Sequence, residues 1–344
     1  MPLIIQAAED KSWRVRFCLS KNFTEIAKNF GKEVTDMSLI QTYGNLLKDS
    51  EVDVKIEAVK SMTGFVQIVS PDKLSVLVHQ VVALGKDSLS IVRANVGPVL
   101  KNMMQGVSKD QAYQNIQPLI KDLMKDEQQE VRKGGIEAGT KFVEVLGPET
   151  MSSLYPSFKA CSEDPKWRVR LVLIERITNL GVILKVMPFL TQNYDMFQKH
   201  IEPLFLNYLK DRASGIRDAG IKAIPRLCKA FGDTWIQSML PKYEDLVSKE
   251  GSYHFKIAAI YSMKEIVLSD LGDKYVEKCL GQIFKVVSDP VPNVREVCIK
   301  ALRDIALRYD KGSIRDAIKK EIQTMSSDTD LEVKLTANEV LSKM

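Results

Sequence analysis

A seven-residue frame recurs along the whole chain and constrains its fold more than any other feature. Each copy starts with an acidic residue, carries an apolar residue five positions later and a basic residue directly after it, as in Asp164–Arg170 (DPKWRVR). The nine acids are Asp10, Asp49, Asp87, Asp126, Asp164, Asp211, Glu250, Asp289 and Asp328. Successive copies lie 39, 38, 39, 38, 47, 39, 39 and 39 residues apart. A fixed period near 39 is typical of a repeat array in which each unit packs only on its neighbours.

Each period contains the pattern of two amphipathic helices joined by a polar turn. In the eighth copy, apolar residues at helical spacing run from Val276 to Val287, and Ser288–Asn293 interrupts them. The second helix then shows one apolar stripe, at Val294, Val297, Cys298, Ala301, Leu302 and Ile305. Such a stripe marks the buried face of a helix. The chain is therefore predicted to be all-α, an α-solenoid (an alpha-alpha superhelix) of about nine helix pairs.

We predict a single array over residues 1–344, because the core of a solenoid grows with the number of repeats. The predicted repeats span approximately 1–33, 34–71, 72–110, 111–148, 149–192, 193–233, 234–272, 273–311 and 312–344. The first repeat is expected to be incomplete, since Met1–Ala8 supplies only the end of a first helix. The chain therefore looks like the C-terminal part of a longer array, or like a form that loses its front end. The 47-residue interval places an apolar surplus near Gly181–Gln192, which is expected to form an extended second helix or an ordered lid.

The three marker residues have distinct expected roles. The acid lies in the turn, where its carboxylate can accept hydrogen bonds from free backbone N–H groups near the start of the second helix. The apolar marker begins the buried stripe, which in the first repeat is Val15, Cys18, Leu19, Phe23 and Ile26. The base points along the seam between repeats, so stacking would place each base beside the acid of a neighbour.

Composition and cysteine usage narrow the function classes. The net charge of +5 is small for 344 residues and argues weakly against a dedicated nucleic-acid binder, and no apolar run reaches membrane-spanning length. No membrane association is expected. The cysteines are scattered and odd in number, so neither a disulfide framework nor a zinc site is predicted. We expect Cys18, Cys161, Cys228, Cys279 and Cys298 to be small buried thiols in a reducing cytosol or nucleus.

The chain shows no catalytic motif. It has no Walker loop, GxSxG, HExxH or Rossmann fingerprint. Of its three histidines, His79 and His200 are expected to be ordinary surface or seam residues, whereas His254 lies in a turn where a contact role and no role are equally consistent with the sequence. We therefore predict that the chain is not an enzyme and uses neither a cofactor nor a metal.

The turns between the two helices of each repeat are the candidate functional surface. In a stacked solenoid they align into one ridge, and most of their residues are not needed for the core. Trp13 and Trp167 both lie two residues before the apolar marker and are followed by Arg14 and Arg168. A tryptophan beside arginine is typical of an interface hot spot. The alternative, that each tryptophan folds back and covers its own turn, is equally consistent with the pattern.

Helix pairs of about 39 residues with Asp in the turn and Val-Arg opening the second helix resemble HEAT repeats. More specifically, the chain resembles the scaffold (regulatory A) subunits of protein phosphatase 2A. The segments that carry this resemblance are DKSWRVR at 10–16, SEDPKWRVRLVLIE at 162–175, FGDTW at 231–235, SDPVPNVR at 288–295 and DLEVK at 330–334. The resemblance covers the whole chain and corresponds to the last nine of the family's fifteen repeats.

The resemblance implies a non-catalytic scaffold whose last five repeats hold a phosphatase 2A-type catalytic subunit. Carried over by position, the turns for that subunit comprise Lys166, Trp167, Arg168, Arg212, Ala213, Ser214, Ser252, Tyr253, His254, Pro290, Val291, Pro292, Asp330, Leu331 and Glu332. Ser12, Trp13 and Arg14 match a turn that the family uses toward regulatory B-type subunits, which are further candidate partners. The expected location is the cytoplasm, with the nucleus as a second compartment.

Two departures and two rival interpretations accompany this prediction. The family's first six repeats are absent, and the surplus near 181–192 lies inside the expected catalytic-subunit region. One rival is a HEAT-repeat adaptor, such as a transport-receptor-like protein, for other partners; the tryptophan turns argue against it. The other rival is an enzyme, for which the sequence supplies no acid, base or metal constellation.

Overall fold

The computed structural model describes residues 1–186, 194–248, 252–309 and 312–344, and it divides into two compact units, Met1–Leu180 and Gly181–Met344. These described residues form helices joined by turns, with no β-strand among them. In both units, the second helix of one repeat packs against the second helix of the next. Each unit is therefore an all-α solenoid of stacked helix pairs, as the repeat predicts.

The first unit consists of short paired helices. Their bounds are α1 Pro2–Ala8, α2 Trp13–Val34, α3 Ile40–Leu46, α4 Val52–Phe65, α5 Pro71–Leu84, α6 Ser90–Met103, α7 Gln117–Leu123, α8 Gln129–Leu146, α9 Met151–Ser162 and α10 Trp167–Val186. Two π-helical turns, Thr35–Leu39 and Ala112–Ile116, lead directly into α3 and α7. The end of α10 continues past the first unit.

The second unit repeats this arrangement. Its helices are α11 Glu202–Leu209, α12 Ser214–Ser248, α13 Tyr253–Leu268, α14 Val276–Phe284, α15 Pro292–Arg308, α16 Ser313–Met325 and α17 Leu331–Lys343. The 35-residue helix α12 joins the second helix of one repeat to the first helix of the next through a kink at Gly232. Gly232 has a φ of 63°, in the left-handed region that glycine adopts without the steric penalty of a side chain.

Large apolar side chains fill the space between the paired helices. In the first unit Phe23, Tyr43 and Phe65 form a buried aromatic cluster with ring centroids 4.2 to 5.6 Å apart. The Tyr43 hydroxyl hydrogen-bonds to the Ala58 carbonyl, so the polar end of this ring is satisfied. In the second unit Trp235 is fully buried against Phe205 at 6.0 Å. Aromatic burial of this kind supplies much of the packing energy of a small repeat.

Within each unit, a ladder of ion pairs links successive turns along the edge where the marker acids lie. In six of these links the base reaches the acid of the following repeat, with N–O distances of 2.6 to 2.7 Å. The pairs are Arg16–Asp49, Lys55–Asp87, Arg93–Asp126, Arg132–Asp164, Lys256–Asp289 and Arg295–Asp328. The arginine pairs are bidentate, which makes them both stronger and more directional than single contacts.

Each acid and each arginine in the ladder also holds its own turn. The Asp126 Oδ1 atom accepts a hydrogen bond at 2.9 Å from the backbone N–H of Gln128, and the same contact recurs in the other described aspartate turns. The arginine Nη1 donates to the carbonyl of the acid in its own turn, as from Arg132 to Asp126 at 2.8 Å. The sequence predicted the ladder but not this carbonyl contact.

The opposite edge of the second unit has its own polar contacts between repeats. Asp233 accepts hydrogen bonds from Lys274 Nζ at 2.7 Å and from the Tyr275 hydroxyl at 2.9 Å. One period later, Asp273 accepts from the Tyr309 hydroxyl at 2.7 Å. Both aspartates follow a glycine, in Gly-Asp pairs 40 positions apart. In the second unit, polar contacts therefore connect successive repeats along both edges.

Two positions of the first repeat were wrongly predicted to be buried. Val15 is 39% exposed and the Cys18 thiol is exposed, although both belong to the predicted apolar stripe. The preceding helix α1 has only seven residues, and its Leu3 is itself 79% exposed, so little apolar surface covers this part of α2. The other four cysteines are buried, as predicted.

The predicted surplus is only partly described. Helix α10 continues through Val186, so the first part of the segment near 181–192 extends the second helix, one of the two predicted outcomes. Residues 187–192 lie outside the described residues, as does the marker acid Glu250. Of the histidines, His79 is exposed and His200 is buried, and burial lowers the pKa of His200.

Removing one ladder acid should destabilise the first unit. Asp126→Asn leaves the guanidinium of Arg93, whose side chain is 12% exposed, without its charged acceptor. We expect the free energy of unfolding to fall by about 1.5–3 kcal/mol, the usual range for a hydrogen bond to a charged group. Urea denaturation followed by circular dichroism measures it. The control Asp122→Asn alters an exposed acid of the same repeat and should change stability by less than about 0.5 kcal/mol; equal losses in both variants would contradict the role of the ladder.

Stability should also fall in acid. Burial raises the pKa values of Asp49, Asp87 and Asp126, but hydrogen bonds from the paired base and the turn amide outweigh burial, so each pKa lies below its usual value. The pairs therefore contribute stability above the unfolded-state pKa of about 3.9, and this contribution is lost as pH falls through the native pKa. Urea unfolding at pH 7, 5, 4 and 3 should show the loss below about pH 5; a flat profile would contradict it.

Candidate interaction surface

The ladder determines which turn residues face outward in the first unit. The acid of a turn pairs with the base of the preceding repeat, and the base pairs with the acid of the following repeat. The residues at the centre of the turn are therefore not required for these pairs. Turns of the first unit differ at the third position after the acid, where α2, α4, α6, α8 and α10 begin. The residues there are Trp13, Val52, Ser90, Gln129 and Trp167. This position therefore varies while the frame around it is kept.

Trp167 is the most exposed aromatic residue among the predicted site residues. Its side chain is 41% exposed, and the Arg168 guanidinium carbon lies 4.8 Å from the ring centroid. Lys166 and Arg168 are both exposed beside it. An apolar ring with a stacked cation presents a large surface of low flexibility to a partner. Trp167 is therefore more exposed than Trp13, for which the sequence allows the same alternative of a ring folded back over its own turn.

Trp13 has the same sequence context but a different environment. Arg14 stacks on its ring at 4.9 Å, as Arg168 does on Trp167. Trp13 also contacts Phe17 edge-on at 6.3 Å and is half-buried. The covering role, which the sequence allows for both tryptophans, therefore fits Trp13 better than Trp167.

The turn that carries Trp167 is held rigidly by Asp164. This carboxylate is 7% exposed and accepts Arg132 Nε at 2.6 Å, Arg132 Nη2 at 3.0 Å and the Lys166 N–H at 2.8 Å. Its backbone carbonyl accepts Arg170 Nη1 at 2.6 Å. A preorganised turn reduces the conformational entropy that a partner must overcome on binding. Lys166, Trp167 and Arg168 are thus displayed on a fixed frame.

The other predicted catalytic-subunit turns lie in the second unit. Arg212, Ser214 and Ser252 are exposed, Ala213 is half-buried, and Tyr253 stacks on His254 with ring centroids 4.0 Å apart.

In the last two turns, Pro290, Leu331 and Glu332 are exposed, while Val291 and Pro292 are half-buried. Asp330 already has a structural role, since its carboxylate accepts the Glu332 and Val333 N–H groups at the start of α17. The five predicted turns thus divide between the units: Lys166, Trp167 and Arg168 lie in the first, and the remaining residues lie in the second.

Two exposed apolar residues in the turns of the first unit were missed by the sequence analysis. Val52 is 45% exposed and Ile91 is 46% exposed. They stand three and four positions after their acids, where the neighbouring turn at Gln129 and Glu130 is polar. The sequence signal for these two residues was an apolar side chain at a position that is polar in the neighbouring turn at Gln129 and Glu130.

Metal-ligating side chains do not cluster in the described part of the chain, and four of its cysteines have raised pKa values. Within it, no group of three or more His, Cys, Asp or Glu side chains is placed to hold a metal ion, and no helix combines the length and apolar character needed to span a bilayer. Burial raises the pKa values of Cys161, Cys228, Cys279 and Cys298 to about 12. These thiols are therefore protonated at neutral pH and poor nucleophiles.

Comparison with known proteins finds a HEAT-repeat profile over part of the chain and relatives that are phosphatase regulatory subunits. A family profile described as "Stalled ribosome sensor GCN1, HEAT repeats" matches residues 71–168. The chain is 24% identical over 221 residues to serine/threonine-protein phosphatase 4 regulatory subunit 1 of Rattus norvegicus, covering 61% of this chain and 22% of the relative. It is 29% identical over 117 residues to the beta isoform of the 65 kDa regulatory A subunit of serine/threonine-protein phosphatase 2A of Homo sapiens, covering 32% of this chain and 19% of the relative.

The chain thus spans about a fifth of the length of these relatives. Among solved structures, a chain from the structure of Kap121p bound to Nup53p matches with a TM-score of 0.73 at 13% identity, covering 98% of this chain and 36% of that one. A chain from the Kap95p–RanGDP structure matches with a TM-score of 0.68 at 12% identity, covering 98% and 49%. At such identities the similarity concerns the fold alone.

Truncating Trp167 should change stability little. We expect Trp167→Ala to alter the free energy of unfolding by less than about 1 kcal/mol, as for other exposed positions. Trp235→Ala, which removes a fully buried ring, should cost about 3–5 kcal/mol. Chemical denaturation of both variants and the parent measures the difference, and a comparable loss in both would mean that Trp167 is a structural residue.

Proposed function

We propose that this HEAT-repeat chain is a non-catalytic regulatory scaffold that binds the catalytic subunit of a serine/threonine phosphatase. The observation that carries the proposal is the turn at Lys166–Arg168, where an exposed tryptophan with a stacked arginine stands on a frame fixed by Asp164. Two of the relatives are phosphatase regulatory subunits, which supports a partner of this type. Rigid display of a tryptophan and an arginine is the arrangement that most often dominates binding energy at an interface.

The finer form of the proposal assigns the catalytic subunit to the phosphatase 2A type. It would contact the turns of the last five repeats, through Lys166, Trp167, Arg168, Arg212, Ala213, Ser214, Ser252, Tyr253, His254, Pro290, Val291, Pro292, Asp330, Leu331 and Glu332. The exposed members of this set combine basic, aromatic and apolar groups, with Arg212 and Lys166 near its first turns and Glu332 at its last. A partner surface with acidic groups opposite the first turns and basic groups opposite the last would be complementary.

The turn at Ser12–Arg14 is proposed to contact a regulatory B-type subunit instead. Ser12 and Arg14 are exposed, and Arg14 stacks on Trp13. Because Trp13 is already half-buried against Phe17, it has less surface to offer than Trp167. The two tryptophan turns are therefore expected to bind different partners and to contribute different amounts of binding energy.

The similarity to Kap121p and Kap95p structures adds no argument for a transport role, because it concerns the fold alone. A transport-receptor-like adaptor remains the alternative outcome of a binding test. Its distinguishing result would be capture of a small GTPase or a targeting peptide without capture of a phosphatase.

Binding of purified catalytic subunits to the whole chain tests the proposal. Phosphatase 2A and phosphatase 4 catalytic subunits would be measured separately by biolayer interferometry. Trp167→Ala should weaken binding of the true partner by at least about 2 kcal/mol, or about 30-fold in Kd, since loss of a hot-spot ring has this magnitude.

The matched control is Trp13→Ala, which removes a tryptophan with the same sequence context and the same stacked arginine. This variant should change the Kd for the catalytic subunit by no more than about twofold. If the turn at Ser12–Arg14 contacts a regulatory B-type subunit, the same variant should weaken the binding of that subunit. Absence of binding to either catalytic subunit would refute the scaffold function. Equal binding by the parent and the Trp167 variant would refute the assignment of the turn.

A further inference from the structure

Three turns carry a hydroxyl side chain directly after the marker acid. The side chains are those of Ser50, Ser88 and Thr329. All three residues are exposed, and none of their hydroxyls makes a hydrogen bond within the described ranges. An exposed hydroxyl with no partner in its own protein is accessible to a modifying enzyme, so these three positions can be compared as acceptors.

Two of the hydroxyls, those of Ser50 and Thr329, are followed by an acidic residue at both the first and the third position after them. The acids are Glu51 and Asp53 in the first case and Asp330 and Glu332 in the second, and none makes an ion pair in the part of the chain that the structure describes. Ser88 is instead followed by Leu89 and Ile91 at these positions. Protein kinases discriminate between acceptors by such patterns of charge, so a kinase with a basic substrate cleft would favour the first two.

The two hydroxyls that precede acids also lie in turns with fewer backbone contacts. In the third turn, Arg93 Nη1 donates a hydrogen bond to the Ser88 carbonyl at 3.1 Å. The bases of the other two turns are the lysines Lys55 and Lys334, and among the described residues neither side chain donates to a carbonyl of its own turn. Segments held by fewer hydrogen bonds open more readily. These two turns can therefore adapt to the active site of a kinase more easily than the Ser88 turn.

The ladder also supplies a group that can receive a phosphate at this position. In the fourth turn the residue directly after the marker acid is Glu127, whose carboxylate lies 3.6 Å from Nη2 of Arg93, the base of the preceding repeat. Ser50 has the equivalent position relative to Arg16, whose guanidinium contacts its aspartate at 2.6 and 3.0 Å, as that of Arg93 does. A phosphate on Ser50 would therefore lie beside a guanidinium, which phosphate oxygens bind strongly.

We propose that Ser50 and Thr329 are phosphorylation sites for a protein kinase that selects acceptors followed by acids, and that each phosphate contacts the arginine of the preceding repeat. For Ser50 this arginine is Arg16. For Thr329 it is Arg295, whose guanidinium contacts its own aspartate at 2.7 Å. The proposal does not depend on the phosphatase assignment.

The modification is a phosphoryl transfer from a nucleoside triphosphate, which the kinase binds. The acceptor hydroxyl oxygen forms a bond to the γ-phosphorus, the bond between this phosphorus and the β–γ bridging oxygen breaks, and the nucleoside diphosphate leaves. The hydroxyl proton passes to the catalytic carboxylate of the kinase. Each phosphate adds a charge of about −1.5 to −2 at neutral pH, so the modification changes the charge of a single turn.

Phosphorylation of the whole purified chain tests the acceptors. The probe is a purified acidophilic protein kinase with ATP, and tandem mass spectrometry of the peptides locates each phosphate. We expect phosphate on Ser50 and Thr329 and none on Ser88. Glu51→Gln combined with Asp53→Asn should lower the rate at Ser50 at least about tenfold, because two charge contacts with the kinase are lost. The rate at Thr329 in the same molecule should not change.

The matched control combines Glu127→Gln with Glu130→Gln, which removes two exposed acids from a turn that has no hydroxyl after its marker acid. It has the same change in net charge, and the rate at Ser50 should stay within about twofold of the parent. In the last turn, Thr329→Ala should abolish the phosphate. This variant distinguishes Thr329 from Ser327, which is also exposed and lies two positions earlier.

Phosphorus-31 NMR of the phosphorylated chain tests the contact with Arg16. The second pKa of a phosphoserine is about 6, and a nearby positive charge lowers it. Arg16→Gln should therefore raise the pKa of the Ser50 phosphate by about half a pH unit or more. Arg14→Gln, which removes an exposed arginine of the same repeat, should have a smaller effect. If Arg16→Gln loses helical signal, Arg295→Gln replaces it, with the phosphate of the last turn as the reporter.

Each part of the proposal has a result that would overturn it. Phosphate on neither Ser50 nor Thr329 would refute the acceptor assignment. Equal rates at Ser50 and Ser88 would show that the acids do not select the acceptor, and phosphate on Ser327 in place of Thr329 would refute the second site. An unchanged phosphate pKa in the Arg16 variant would refute the contact with the preceding repeat.

Discussion

The bidentate contact between each arginine and the aspartate of the next turn is the interaction on which the rest of the structure depends. One carboxylate accepts the guanidinium of the preceding repeat and the N–H of its own turn, as Asp164 does with Arg132 and Lys166. Stacking and turn geometry are therefore fixed by the same group. Because the pairs are only about a tenth exposed, loss of one partner leaves a charge that water cannot solvate freely.

This coupling explains why the candidate binding residues stand between the markers. The turn is held by its first and last residues, so the residues at its centre can change without disturbing the stack. Trp167 and Ser90 occupy equivalent positions, yet their aspartates make the same contacts. Recognition can thus vary from repeat to repeat at little cost in stability, which is the condition a scaffold with several partners requires.

The sequence predicts the helix pairs and the ladder because both follow from spacing alone. It does not predict burial where burial depends on neighbours. Val15 and Val54 hold the same place in the frame, but Val54 is fully buried and Val15 is not, since α1 covers so little of α2.

Charge along the turns is compensated in a way that leaves only the central residues available to a partner. The marker acids and bases of the ladder neutralise each other, so the charge that a partner meets comes from residues such as Lys166 and Arg168. A turn of this kind suits contact with a folded partner through a fixed ring and cation, because neither group has to be ordered on binding.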